Sequence, residues 1–87
     1  MNQEIPKHEE LIRITTESFL TNHELTQHQR IKALMTIRGI SQVALARKHG
    51  LQRSEVSRVI SGDRRTKHIR NTIATELGVG VEQLFRD

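Results

Sequence analysis

The 87-residue chain has no Cys, Trp or Tyr, a single Pro and two Phe. Without Cys there is neither a disulfide framework nor a thiolate metal site, so a reducing cytoplasm is the expected setting. Phe19 and Phe85 are too few aromatics to build the stacking platform on which single-stranded RNA is usually read. No apolar run approaches the roughly 20 residues that span a bilayer. The opening Met1-Asn2-Gln3-Glu4 is polar and acidic, unlike a secretory signal, and no membrane association is expected. His23 and His28 flank Glu24, but a five-residue step does not place two imidazoles on one helix face, so neither a metal nor another cofactor is expected. A Gly-rich phosphate loop, a nucleophile elbow and a paired-carboxylate pocket are also missing, which argues against an enzyme. A chain this short has material for one core and hence one domain.

What the chain does have is charge gathered in one block. Residues 1–24 carry two bases against five acids, a balance of −3, whereas residues 41–70 carry eight bases against Glu55 and Asp63, a balance of +6. A basic block of this kind suits a phosphate backbone, because binding releases the counterions condensed on it.

Between the punctuation residues Pro6, Gly39, Gly50, Gly62, Gly78 and Gly80 the apolar residues recur with helical period, which predicts an all-α fold. Thr26 and Gln29 have the spacing of a capping box, so a helix is expected over 27–38 with Ile31, Leu34 and Met35 inward, ended by Gly39. Ser41 can cap a second helix over 42–49 that turns Val43, Leu45 and Ala46 to the core and stops at Gly50. A third over 53–61 places Val56, Val59 and Ile60 inward, and a fourth over 66–77 buries Ile69, Ile73, Ala74 and Leu77. Val81, Leu84 and Phe85 make a short last helix. Residues 1–25 have two readings: a loosely attached helix or disordered arm, or an extra helix packed on the core through Ile12 and Phe19.

The segment 42–61, QVALARKHGLQRSEVSRVIS, joins a small residue where helices cross, Ala46, to a glycine suited to a tight turn, Gly50, with Leu51, Val56 and Val59 to fill the gap between the two helices. The second helix then becomes a rigid probe of a size that a DNA major groove admits. The spacing of Gln42, Ala46, Gly50, Val56 and Val59 resembles the helix-turn-helix of the lambda-repressor, Cro and Xre superfamily, and the likeness extends over roughly residues 26–87. His49 departs from it where an apolar residue is usual, and Gly80 where Ser or Thr often caps the last helix. The resemblance implies a five-helix DNA-binding domain over 26–87, with 1–25 as an N-terminal arm or extra helix, and a phosphate contact from Gln42.

Outward on the third helix lie Ser54, Ser57, Arg58 and Ser61, with Arg53 at its start. Arg can grip guanine bidentately and Ser can serve base edges, so these five are the expected base readers. Glu55 has three readings: an acceptor from cytosine, a partner for Arg58, or a favourable charge at the helix N-terminus. Arg64, Arg65 and Lys67 flank the probe and are expected to hold phosphates, with Arg47 and Lys48 as weaker candidates. The expected partner is double-stranded DNA, bound by a homodimer or a cooperative array. Operator occupancy by a phage or bacterial repressor is the leading function. Small temperate-phage regulators of similar format include an excisionase, which is one alternative. Another is an antitoxin-like module whose residues 1–24 hold a protein partner.

Overall fold

The computed structural model describes residues 8–86. Met1 to Lys7, including the opening tetrapeptide and Pro6, and Asp87 lie outside the described residues. Six helices follow in order: α1 (His8–Thr21), α2 (Gln27–Arg38), α3 (Gln42–Lys48), α4 (Arg53–Ser61), α5 (Lys67–Leu77) and α6 (Val81–Leu84). No strand occurs among the described residues, so the fold is all-α.

Local chemistry places the helix starts. The Thr26 hydroxyl accepts from the Gln29 N–H at 3.1 Å while the Gln29 side chain accepts from the Thr26 N–H at 2.9 Å, a complete capping box. Ser41 Oγ accepts from the Ala44 N–H at 3.0 Å and starts α3. At α6 the missing hydroxyl cap is replaced from inside the helix, since Gln83 Oε1 accepts from the Gly80 N–H at 2.8 Å. Three expected boundaries shift by one residue: His49 is the C-cap of α3 rather than its last residue, Thr66 is the N-cap of α5 rather than its first, and Phe85 is the C-cap of α6 rather than part of it.

The core runs through every helix. Ile31, Leu34, Leu45, Val56, Val59, Ile60, Ile73, Leu77 and Leu84 are almost wholly buried, and Phe85 closes one end. Val43 departs from expectation and stands 44 % exposed. It precedes Leu45 by two residues, roughly 200° around the helix, so the two cannot share an inward face. Leu45 and Ala46 take the core side and are the buried residues of α3.

Of the two readings for the N-terminal segment, the structure shows a helix from His8 that reaches the core at its C-terminal end, where Thr16 and Leu20 are buried and Phe19 partly so. Its β-branched Thr15 and Thr16 turn their hydroxyls back onto Leu11 O and Ile12 O at 2.7 and 2.6 Å, which satisfies them within the helix. The Arg86 guanidinium donates to Leu20 O and ties the end of α1 to the end of the chain.

Candidate nucleic-acid interface

The site begins with the turn between α3 and α4. Gly50 has φ +65°, and a Cβ placed there would meet nothing within 4 Å, so the position is set by backbone conformation rather than by space. Just beyond it the Leu51 N–H donates to Ala46 O at 2.8 Å, folding the chain back on α3. Ala46 is buried where α3 packs on α4. Glu55 turns toward its own helix start and accepts from the Gln52 N–H at 3.3 Å, which assigns it to the N-terminal turn among its three readings.

With Val56, Val59 and Ile60 inward, α4 leaves Arg53, Ser54, Ser57, Arg58 and Ser61 exposed. Ser54 and Arg58 line one shallow depression together with Arg64, from the loop that follows α4. That loop is held to the helix by the Arg64 N–H, which donates to Arg58 O at 3.1 Å. Gln42 and Arg53 line a second depression with Lys32 and Thr36 of α2. Arg65 and Lys67 line a third, floored by Phe85, over whose ring the Arg70 guanidinium lies at 4.8 Å. Ser57 and Ser61 line none of these and are grouped with the rest only by their place on α4. Ser61 Oγ donates to Arg58 O at 3.1 Å, so its proton serves the helix and its lone pairs are left as an acceptor.

Lys48 and His49 are engaged elsewhere. Lys48 Nζ and His49 Nε2 each lie 2.8 Å from Glu76 Oε1, clipping the end of α3 to α5. Their hydrogen bonds, that from Lys48 foremost, hold the Glu76 carboxyl below the ordinary carboxylate range. The unusual His49 therefore has a polar partner instead of a place in the core.

Two further polar residues of α2 make bonds that the motif does not mark, Gln27 to α4 and Arg30 to the bundle around it. Gln27 Nε2 donates at 3.2 Å to both Val59 O and Ile60 O. Arg30 is only 5 % exposed and donates to Leu84 O at 3.0 Å and Leu25 O at 3.3 Å. Burial lowers the pKa of its guanidinium, and nearby Arg86 lowers it further. The signal for both was positional: 27, 30, 31, 34 and 35 form a single stripe at helical spacing, so Gln27 and Arg30 share the inward face with Ile31, Leu34 and Met35.

Two short helices locked by a glycine turn, the second presenting a polar face flanked by exposed bases, define a helix-turn-helix DNA-binding protein. A family model described as winged helix-turn-helix DNA-binding matches residues 26–87, and the chain belongs to that family. No curated protein and no solved structure matches the chain. A wing is ordinarily a β-hairpin, whereas here the connection after α4, residues 62–66, is a loop and no strand occurs among the described residues.

Proposed function

We propose that this protein is a sequence-specific regulator that lays α4 in the major groove of duplex DNA and represses by occupying an operator that overlaps a promoter. The observation that carries the reading is the exposed face of α4, where Arg53, Ser54, Ser57, Arg58 and Ser61 stand opposite the buried Val56, Val59 and Ile60. In this reading Arg53 and Arg58 bind guanine edges and the serines bind base edges or nearby phosphates. Gln42, at the first turn of α3, meets a phosphate, and Arg64, Arg65 and Lys67 hold the backbone on the far side of α4. The all-helical build and the spacing of Gln42, Ala46, Gly50, Val56 and Val59 favour a lambda-repressor-like arrangement of the module, built from residues 26–87. Binding, not catalysis, is its activity, in the cytoplasm of a bacterial host.

A second role is favoured by Leu11 and Ile14, which stand 48 % and 55 % exposed one turn apart on α1. Such a pair suits a protein partner held through the N-terminal segment, alongside the DNA function. Its signature is a co-purified partner that is lost from a Leu11→Glu/Ile14→Glu variant still able to bind DNA.

Selection of duplexes from random sequence tests the main reading. A defined site is expected, with inverted half-sites about 10 bp apart for a symmetric dimer or direct repeats for copies placed head to tail. Arg58→Ala then lowers the ratio of specific to random-duplex affinity, losing roughly 1–3 kcal/mol at one base position. Arg65→Ala weakens all duplexes alike and flattens the salt slope by about 1. If Arg58→Ala weakened every duplex equally while Arg65→Ala altered base preference, α4 would not be the reading helix.

A further inference from the structure

The last turn of a helix leaves carbonyls without intrahelical donors, and in α4 these carbonyls lie directly behind the residues that face outward. Arg58 O accepts from the Arg64 N–H and Val59 O from the Gly62 N–H, both supplied by the loop that follows. Gln27 adds two bonds of a different kind, since its Nε2 reaches from α2 to Val59 O and Ile60 O at 3.2 Å each. Its own backbone is fixed twice over, by the Thr26–Gln29 capping box on one side and by the buried stripe of Arg30, Ile31, Leu34 and Met35 on the other. An amide held in this way ties the C-terminal end of α4 to the buried face of α2.

We propose that Gln27 is a positioning residue for base recognition: it sets the tilt of α4 and so the reach of Arg58 and Ser61, while itself touching no DNA. The inference rests on α4 being the reading helix. Bidentate recognition tolerates displacements of only about 0.5 Å and 10–20°, so loosening one end of a nine-residue helix should cost discrimination before it costs overall affinity.

Gln27→Met keeps the length and removes the donor, and Gln27→Lys restores a donor of similar reach whose charge also suits a helix C-terminus. Binding of both variants is measured on the duplex selected by the wild-type protein and on a random duplex, with Arg58→Ala as reference. Amide hydrogen exchange at Gly62 and Arg64 is followed without DNA. Gln27→Met should lower the specific-to-random ratio roughly tenfold, with unchanged salt slope, and speed exchange at both amides. Gln27→Lys should restore ratio and protection together. An unchanged ratio in Gln27→Met beside a lowered one in Arg58→Ala would overturn the positioning role, as would equal losses in the two Gln27 variants. If Arg58→Ala leaves the ratio unchanged while Gln27→Met still speeds exchange, the link between Gln27 and α4 holds and the reading helix is wrongly assigned, which also overturns the proposal.

Discussion

Position 50 calls for a backbone conformation more than for a side chain. A φ of +65° is easy for glycine and strained for any β-branched residue, even though no neighbour would touch an added Cβ. Gly50→Val should therefore destabilise the fold by about 1–3 kcal/mol, a large share of what holds a domain this small together. Gly50→Asn should cost less, because Asn visits the left-handed region more readily. Arg53→Ala, at an exposed position outside the core, should stay within about 0.5 kcal/mol of the parent protein. Thermal melts of the three variants measure this directly. If Gly50→Val melted with Arg53→Ala, the turn would not hold a left-handed residue in solution.

Among the elements, α3 is short and has little buried surface of its own, with Leu45 and Ala46 as its buried residues. The Lys48–Glu76–His49 clip compensates at its C-terminal end. Glu76 has its pKa lowered in the fold by Lys48 and then His49, so its contribution is fully present above the ordinary carboxylate range and fades as pH falls through the lowered folded value. Glu76→Gln should melt below the parent at pH 7, and the two should converge as pH falls through the lowered folded value of Glu76. A gap that persists in acid would mean that packing, not charge, makes the contact. The helix boundaries could be anticipated because their determinants are local: Thr26 reads Gln29, and Ser41 reads Ala44. The outward face of α4 was legible for the same reason, since three inward apolar residues at i, i+3 and i+4 fix the opposite side. What lay beyond sequence were contacts across 32 and 27 positions, Gln27 to Val59 and His49 to Glu76, which no local spacing encodes. Val43 is hydrophobic but out of phase with Leu45 and Ala46, so hydrophobicity alone does not place it in the core.

On the scale of the whole molecule the +6 balance of residues 41–70 is divided by the fold into bases with different work to do. Lys48, although its side chain stays 66 % exposed, is drawn to Glu76, and Arg70 lies over Phe85, so both have partners within the protein. Arg47, Arg53, Arg58, Arg64, Arg65 and Lys67 remain exposed, and of these Arg64, Arg65 and Lys67 flank the end of α4 where a duplex backbone would pass. Counting these three, the leading turn of α3 at Gln42 and one or two of the rest gives about five or six phosphate contacts, and log K should fall against log salt with a slope of roughly −5. The acidic α1, with Glu9, Glu10 and Glu17 against Arg13, adds no attraction for DNA, so replacing those three acids by Gln should raise affinity at low salt yet leave the slope unchanged. The double variant Arg64→Ala/Arg65→Ala should instead reduce the slope by about 2, with Lys48→Ala leaving it nearly as it was. Titrations of one duplex at several salt concentrations measure all of these. A slope near zero in the parent protein would show that the exposed bases do not face the phosphate backbone, and a slope lowered by Lys48→Ala as much as by Arg65→Ala would show that the Glu76 clip opens when DNA binds.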